Sequence, residues 1–291
     1  MARRRPPTVH GVCVVDKPAG ITSHDVVAML RRRLGERRIG HAGTLDPGAT
    51  GVLVVGVGHA TRLLPFTGDT KTYTAQVVFG AETDTLDADG EITVRHDMEA
   101  VDIDEVRRCI AEHLIGSVMQ VPPMVSARRV DGRRLHEIAR EGGEVEREAR
   151  AVAVSRFDVV PTHDPLVIDI SVDCSTGTYV RTLAADLGAL MGGGAHLRAL
   201  RRTAVGTFGE QRAAPPDECP LLDIGTAVEA LERWDVDASV ASQVRHGAVL
   251  AAPADVGPWA VFHDGALLAV YDAHGAGRAK PSVVLPVEQE R

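Results

Sequence analysis

A glycine-rich stretch at residues 40–51, GHAGTLDPGATG, constrains the fold of this chain more than any other feature. It runs directly into the apolar segment Val52–Gly58. Glycine permits tight turns and close approach of a ligand to the backbone, and Pro47 biases the residue before it toward an extended conformation. The pattern therefore predicts a tight loop that carries one carboxylate, Asp46, and leads into a buried strand.

Asp46 is the candidate functional group of this loop. A lone carboxylate held in a rigid loop beside a core strand is suited to act as a nucleophile or a general base. The alternative is that Asp46-Pro47-Gly48 forms an ordinary turn. The stretch lacks the Gly-Lys-Ser/Thr ending of a P-loop and the glycine spacing of a dinucleotide fingerprint, so neither of those nucleotide sites is predicted.

The charge distribution bears on the kind of partner. The net charge of −8 by itself disfavours a polyanion. Charges of each sign are nevertheless segregated along the chain, which is compatible with a basic RNA-binding face on an acidic protein, although each basic cluster is alternatively a solvated helix face. Basic residues concentrate in Arg3–Arg5, Arg31–Arg38, Arg128–Arg134 and Arg198–Arg202, and acidic residues in Glu82–Glu105 and Asp217–Asp237. An aromatic content of 3% disfavours an RNA binder that works by base stacking on a sheet.

Several other classes of protein are disfavoured. No apolar run is long enough to cross a bilayer, and no apolar signal-peptide core follows the basic residues 1–7, so a cytoplasmic protein is expected. The four cysteines are scattered without Cys-x-x-Cys pairs, and no His-Glu-x-x-His arrangement occurs. Neither a disulfide framework nor a metal site is therefore predicted. A hydrolase of the Gly-x-Ser-x-Gly class has no support either.

Hydrophobic periodicity predicts alternating strands and helices as far as residue 212, with a boundary at Ala213–Pro216. Strands are predicted at Gly11–Asp16, Tyr73–Gly80, Ala151–Val160, Leu166–Cys174 and Leu200–Phe208. Helices are predicted at His24–Leu34, Asp104–Leu114 and Val180–Met191, with a short helix at Leu135–Arg140 inside a charged excursion. Beyond the boundary, the pattern predicts a helix at Leu221–Arg233 and short strands at Ala248–Ala252, Trp259–Phe262, Leu267–Tyr271 and Val283–Val287.

Residues 40–51 closely resemble the catalytic loop of the TruB type of pseudouridine synthases, which act on the T-arm of tRNA. Five further segments resemble motifs of that family in the same order, from about residue 9 to about residue 209. They are Val14–Ser23 (the opening signature), Lys71–Tyr73 (the tyrosine segment), Gln120–Ala127 (the start of an RNA-gripping insertion), Gly177–Leu183 (the arginine motif) and Leu200–Thr203 (the last core motif).

The resemblance implies an α+β fold and a division into domains. The expected core is a pseudouridine synthase domain over residues 9–212, with a mixed, largely antiparallel sheet, flanking helices and the RNA-gripping insertion at about residues 122–150. A linker and helix over residues 213–234 and a small β-rich, PUA-like RNA-binding domain over residues 235–291 are expected to follow.

The resemblance also implies which residues act. Asp46 is the catalytic carboxylate, Arg181 its cationic partner, and Tyr73 the residue that stacks on the target base. Conversion of uridine to pseudouridine breaks the N1–C1′ bond and joins C5 to C1′, without a metal or cofactor. Whether Asp46 attacks carbon or removes a sugar proton stays open at this stage.

Further residues are expected to bind the substrate. His41 is expected to fill the space vacated by the extruded uridine, Tyr179 and Leu200 to line the pocket, and Lys17, Arg128 and Arg129 to contact phosphates. Arg133 and Arg134 are further phosphate candidates. The expected partner is the T-arm of tRNA with uridine 55 as the target, and the protein is expected to be a monomer without a protein partner.

Two other functions remain possible at the level of the sequence. One is a non-catalytic tRNA-binding or tRNA-folding protein on the same scaffold, and the other is a pseudouridine synthase with a different RNA target. A pure binder has no need for a buried carboxylate, so the combination of Asp46, Tyr73 and Arg181 favours the enzyme.

Overall fold

The computed structural model describes residues 6–126, 129–130, 133–134, 138, 143 and 145–286. Within these residues the helices are α1 (Ser23–Leu34), α2 (Ile103–His113), α3 (Val180–Leu190) and α4 (Ala238–Arg245). No helix in this part of the chain is both long enough and apolar enough to span a bilayer. Arg128 and, apart from Ile138, the predicted helix at Leu135–Arg140 lie outside the described residues.

Eighteen strands are present in the described ranges. They are β1 (Gly11–Lys17), β2 (Ile39–His41), β3 (Thr50–Val57), β4 (Thr70–Phe79), β5 (Ala81–Thr83), β6 (Ile92–Arg95), β7 (Gly116–Gln120), β8 (Arg129–Val130), β9 (Arg133–Arg134), β10 (Arg150–Pro161), β11 (Val167–Ser175), β12 (Ala195–Val205), β13 (Phe208–Gly209), β14 (Glu232–Asp235), β15 (Leu250–Ala251), β16 (Trp259–His263), β17 (Ala266–Ala273) and β18 (Arg278–Val284).

The central sheet has nine strands and is largely antiparallel, as predicted. Seven of its strands follow the order β1-β3-β12-β4-β11-β10-β7, with β2 paired to β3 and β13 paired to β12. One pair is parallel: β12 runs alongside β3, with Arg202 opposite Gly51. This pairing places the start of β3, and with it the glycine-rich loop, beside β12, which in turn pairs with the central strand β4.

In strands β1 and β3, the apolar runs Gly11–Val15 and Val52–Val57 are covered on both faces. Cys13, Val15, Leu53 and Val55 point into the larger core that includes the helices. The intervening residues 12, 14, 52 and 54, all valines, point into a second core on the opposite face. A strand that is buried on both faces reads as a continuous hydrophobic run, which explains the Val52–Gly58 pattern.

Helix α1 begins and ends where local chemistry requires. The Thr22 side chain accepts a hydrogen bond from the backbone of Asp25, and the Asp25 carboxylate accepts one from the backbone of Thr22, so the two form a capping box. The helix ends at Gly35, which has a φ of 64°. The predicted bounds of this helix differ from the observed ones by a single residue.

The C-terminal part forms a five-stranded sheet in the order β14-β16-β17-β18-β15, with α4 packed against it. Its core includes Trp259 and Tyr271, both fully buried. The predicted helix at Leu221–Arg233 is wrong: a short 3-10 helix at Ile224–Val228 is followed by β14, which pairs in parallel with β16. Three of the four predicted strands are found with slightly different bounds, whereas the last begins earlier, at Arg278.

The segment between the two sheets is packed against the synthase domain. The backbone of Ala214 pairs with β1 at Val14 and Asp16, and Leu222 pairs with Val12. Residues 213–222 therefore extend the hydrogen bonding of the β1 edge.

Candidate active site

The loop that carries Asp46 is held from below by the end of β1 and the start of α1. The buried Ser23 hydroxyl donates to the Leu45 carbonyl at 3.0 Å and accepts from the Leu45 amide at 2.8 Å. The Gly20 amide donates to the Pro47 carbonyl at 2.9 Å. These bonds fix the loop on both sides of Asp46.

Lys17 lies beneath this loop. Its side chain is fully buried, and the ammonium group donates to the carbonyls of Pro18, Ile21 and Pro47 at 2.7–3.1 Å. Burial lowers the pKa of Lys17 to about 8, and the nearby Asp46 carboxylate opposes this shift. A phosphate contact requires an accessible ammonium, so the expected phosphate role does not fit this placement. Lys17 instead links the backbone at Pro18, Ile21 and Pro47 beneath the loop.

Asp46 forms an ion pair with Arg181. Arg181 Nε lies 3.0 Å from Asp46 Oδ2, and Arg181 Nη1 lies 3.4 Å from Asp87 Oδ2. The guanidinium also donates to the carbonyls of Thr85 and Val125, at 2.7 and 2.8 Å. Only 3% of the Arg181 side chain is exposed, against 37% of the Asp46 side chain. The arginine is thus fixed in the wall of the site, and the carboxylate stays partly accessible.

The ionisation of Asp46 reflects opposing effects. Burial raises the pKa of Asp46 above its ordinary value, the Arg181 guanidinium lowers it, and the Asp87 carboxylate raises it. Although part of the carboxylate is accessible, it lies in a concave wall, where desolvation is the largest of these effects. The ion pair with Arg181 therefore favours the ionised form that a nucleophile or base requires.

Five of the predicted residues line one cleft of about 250 Å³: Asp46, Tyr73, Tyr179, Arg181 and Leu200. They come from the glycine-rich loop, β4, the start of α3 and β12. His41, at the end of β2, and Lys17 are not among the lining residues. Burial and the Arg202 charge lower the pKa of His41, which favours a neutral imidazole. Arg129 is described only as part of the short strand β8.

Tyr73 lies in the middle of β4, opposite Arg202 of β12. It is 6% exposed, and burial raises its pKa while the Arg202 charge partly opposes the shift. The tyrosine is therefore a neutral phenol whose aromatic ring forms part of the cleft wall.

Tyr179 is fixed by a reciprocal pair of hydrogen bonds. The Gln120 side-chain amide donates to the Tyr179 carbonyl at 3.0 Å, and the Tyr179 amide donates to Gln120 Oε1 at 2.8 Å. Tyr179 is also the N-cap residue of α3, so the same contact sets the start of the helix that carries Arg181.

Sequence reasoning missed four groups around the cleft: Lys71, Asp87, Ser126 and Arg202. Lys71 and Ser126 line the cleft, Asp87 pairs with Arg181, and Arg202 is fully buried beside Tyr73. Lys71, Ser126 and Arg202 lie inside segments already singled out by the family resemblance. Asp87 lies in an acidic turn whose proximity to Arg181, 94 positions later in the chain, has no local signal.

This arrangement defines a class of protein. A carboxylate pairs with a buried arginine at one side of a nucleobase-sized cleft, with a tyrosine in its wall and a largely antiparallel sheet beneath, and these features fit an RNA pseudouridine synthase, an isomerase. Comparisons agree with this class. The family model described as "TruB family pseudouridylate synthase (N terminal domain)" matches residues 31–180. Those for "tRNA pseudouridylate synthase B C-terminal domain" and "tRNA Pseudouridine synthase II, C terminal" match residues 181–218 and 231–286.

The chain belongs to the TruB family of pseudouridylate synthases. It is 43% identical to the tRNA pseudouridine synthase B of Mycobacteroides abscessus, over 95% of this chain and 96% of the relative. It is 45% identical to that of Thermobifida fusca, over 94% of this chain and 98% of the relative. Its C-terminal sheet is the PUA-like domain of such proteins.

Solved structures support the fold alone. A Cbf5-Nop10-Gar1 complex superimposes with a TM-score of 0.70 at 24% identity, covering 96% of this chain and 84% of that chain. An H/ACA RNP bound to a substrate RNA containing 2′-deoxyuridine superimposes with a TM-score of 0.69 at 23% identity, covering 97% and 86%.

Proposed function

We propose that this enzyme converts the uridine at position 55 in the T-arm of tRNA to pseudouridine, with Asp46 as the catalytic carboxylate. The tRNA substrate is supported by the names of the relatives, which are tRNA pseudouridine synthases over nearly the whole chain. The Asp46–Arg181 pair, 3.0 Å apart in the wall of the cleft, is the observation that supports the catalytic role most directly.

Asp46 acts at the sugar of the extruded uridine. The carboxylate either attacks carbon or removes a sugar proton, while the N1–C1′ bond breaks and the base separates. Arg181 keeps the carboxylate ionised and oriented, since its other donors are held by Asp87, Thr85 and Val125. The freed base turns within the cleft, C5 bonds to C1′, the proton on C5 is lost, and N1 takes up a proton.

The other predicted residues hold the nucleotide. Tyr73 stacks on the base, and its hydroxyl relays a proton in the last step. Tyr179 and Leu200 form the remaining walls. Extrusion of a base from a folded arm costs a few kcal/mol of stacking and pairing, and His41 offsets part of that cost by occupying the vacated space. Arg128 and Arg129 contact phosphates, which position the arm without reading its sequence.

Tritium release from an unmodified T-arm transcript labelled at C5 of uridine tests this function. Wild-type protein is expected to release tritium, and Asp46→Asn is expected to release none above background. Asp97→Asn is a matched control, because Asp97 is exposed and the substitution removes the same charge away from the cleft. A transcript with cytidine at position 55 is expected to release no tritium from that arm.

Two outcomes would contradict the proposal. Substantial release by Asp46→Asn would remove Asp46 from the chemistry. Tight binding of the T-arm by wild type without tritium release would favour the tRNA-folding protein or an enzyme with another RNA target.

A further inference from the structure

A largely buried lysine in the lining of the cleft has no counter-ion among the residues that the structure describes. Lys71 precedes Tyr73 by two positions on β4, so both side chains point to the same face of the sheet. Lys71 is 9% exposed and lines the cleft. Among the described residues, no acceptor lies within hydrogen-bonding distance of its ammonium group, and no carboxylate pairs with it.

A second cation adjoins this lysine. Arg202 is fully buried; its Nε donates to the Val52 carbonyl at 2.8 Å and its Nη2 to the Gly43 carbonyl at 3.1 Å. Its Nη1 is buried without an acceptor among the residues that the structure describes. A Cβ at Gly43 would lie 2.5 Å from Lys71 Nζ and 3.6 Å from Arg202 Nη1. Gly43, with a φ of 88°, thus allows both cations to reach the base of the loop.

The nearby carboxylates do not neutralise this pair. Asp46 and Asp87 both pair with Arg181, and neither pairs with Lys71 or Arg202. Lys71 Nζ is not itself fully buried and reaches the cleft, but its side chain is 9% exposed, and an ammonium group in so little water without a counter-ion is unfavourable. Burial and the charge of Arg202 accordingly lower the pKa of Lys71 to about 8. The missing partner of Lys71 is therefore expected to arrive with the substrate.

We propose that Lys71 donates a hydrogen bond to a carbonyl oxygen of the target uracil and stabilises the negative charge that the base acquires during the reaction. The inference rests on the proposed function. When the N1–C1′ bond breaks, its electron pair stays on uracil and spreads from N1 onto O2 and O4. When C5 bonds to C1′, an electron pair of the uracil anion forms the new C–C bond. The C5 proton then leaves, the C–H electrons return to the ring, and N1 takes up a proton to give the neutral base. Lys71 stays protonated throughout and transfers no proton.

Position argues for the base and against a phosphate as the partner of Lys71. The cleft of about 250 Å³ suits a single base, and Tyr73 stands beside Lys71 in its wall. A ribose-phosphate backbone carries its charge outside such a cleft. A cation aimed at developing charge in a site that excludes water acts mainly on the transition state and little on binding.

Single-turnover kinetics with Lys71→Met separate these effects. With a T-arm transcript at saturating enzyme, the rate constant is expected to fall by about 10²–10³, the usual effect of removing one such donor. The dissociation constant for the transcript is expected to change by less than about threefold. Arg107→Gln, which removes an exposed cation from α2, is expected to match wild type in both measurements.

Either of two results would overturn the inference. A rate constant for Lys71→Met within threefold of wild type would leave no role for the lysine in the chemistry. A loss of affinity as large as the loss of rate would identify a phosphate contact. Wild-type conversion in the same assay tests the proposed function separately, because it does not depend on Lys71.

Replacement of single oxygens in the substrate identifies the contact. Transcripts with 2-thiouridine or 4-thiouridine at the target replace one carbonyl oxygen by sulfur, a weaker acceptor. In wild type, sulfur at the contacted position is expected to slow the reaction, and in Lys71→Met the same sulfur is expected to have no further effect. Additive losses at both positions would contradict the inference. If Lys71→Met unfolds, Lys71→Gln is used in its place. A test with wild-type protein alone is also decisive: if sulfur at neither position slows the reaction, the inference is contradicted.

Discussion

At the scale of single residues, Asp46 and Arg181 depend on each other. The arginine is held by two carboxylates and two backbone carbonyls, so its orientation does not depend on Asp46 alone. The carboxylate, in contrast, has Arg181 as the largest of the influences that lower its pKa. Removal of the arginine therefore affects the ionisation of Asp46 more than removal of Asp46 affects the arginine.

We expect Arg181→Met to shift the acid side of the pH–rate profile. In the proposed mechanism activity requires ionised Asp46, so the rate is expected to fall as the pH falls through the pKa of this group, which burial already raises. Without Arg181 that pKa rises further, and the fall moves to higher pH. Single-turnover rate constants measured across pH test this shift. An acid limb at the same pH in Arg181→Met as in wild type would contradict it. The carbonyls left without a donor also lower the free energy of unfolding by about 1–3 kcal/mol.

Lys71 is expected to set the basic side of the same profile. Its pKa is lowered to about 8, and the protonated form is the one that we assign to the reaction, so the rate falls as the pH rises through about 8. The other titratable groups near Lys71 do not account for a fall at about pH 8. Burial raises the pKa of Tyr73 and of Cys174, and burial lowers the pKa of His41 below 6.5. Arg202, like other arginines, stays charged.

The pH–rate profile of Lys71→Arg tests this assignment. Arginine keeps its charge at every pH of interest, so the variant is expected to lose the fall near pH 8 whatever its absolute rate. Lys17 also has a pKa lowered to about 8, but it is unchanged in this variant. A fall at the same pH in Lys71→Arg as in wild type would assign the titration to Lys17 or to the RNA.

At the scale of secondary-structure elements, the start of α1 holds the loop that carries Asp46. Thr22 and Asp25 cap the helix, and Ser23, the first residue of the helix, bonds both polar groups of the Leu45 backbone. Backbone donors at a helix N-terminus need partners, and here the capping residues supply them. The same helix start supports the loop at Leu45, 22 positions after Ser23.

Ser23→Ala is expected to loosen this loop. The Leu45 amide and carbonyl lose their partner in a buried place, which lowers the free energy of unfolding by about 1–3 kcal/mol. The rate of uridine conversion falls while the affinity for RNA is retained, because Asp46 is positioned less precisely. Amide hydrogen exchange at Leu45 is the direct measurement, and Ser117→Ala, at an exposed position, is the control. Unchanged exchange at Leu45 would contradict this account.

At the scale of the whole molecule, the two sheets share a hydrophobic core. The second core contains Val12, Val14, Val52 and Val54 of the synthase sheet together with apolar residues of the C-terminal sheet, among them Val270. Residues 213–222 add backbone bonds along β1. The PUA-like domain is therefore part of the same folding unit, and its removal would expose the outer face of β1 and β3.

Phe208→Ala is expected to unfold both sheets together. Phe208 is 1% exposed in the shared core, and its removal is expected to cost about 3–5 kcal/mol. Both tryptophans, Trp234 and Trp259, belong to the C-terminal sheet, so their fluorescence reports on that sheet, whereas circular dichroism reports on the whole chain. We expect both signals to shift together to lower denaturant concentration. Val256→Ala, at a site that is 77% exposed, is the control. A shift in circular dichroism without one in fluorescence would indicate independent domains.

Periodicity predicted most elements of the synthase domain because local order decides them. Capping residues, alternation along strands and the glycine after α1 act over a few positions. The predicted helix at Leu221–Arg233 failed because pairing of β14 with β16 outweighed a helical pattern. Helix α4 was not predicted, and neither was the pairing of residues 213–222 with β1.

The residues of the site also fall into two groups, those that the local sequence predicts and those that only the tertiary structure places. The sequence by itself determined the loop that presents Asp46 and, through the family motifs, the five predicted residues that line the cleft. Only the tertiary structure decided that Lys17 is buried beneath the loop, that Asp87 shares Arg181, and that Lys71 and Arg202 meet at Gly43 with no counter-ion in the described part of the chain. The reason is physical: charge, burial and pKa depend on neighbours in space, and the fold brings together residues far apart in the chain, such as Arg202 and Gly43, which are 159 positions apart.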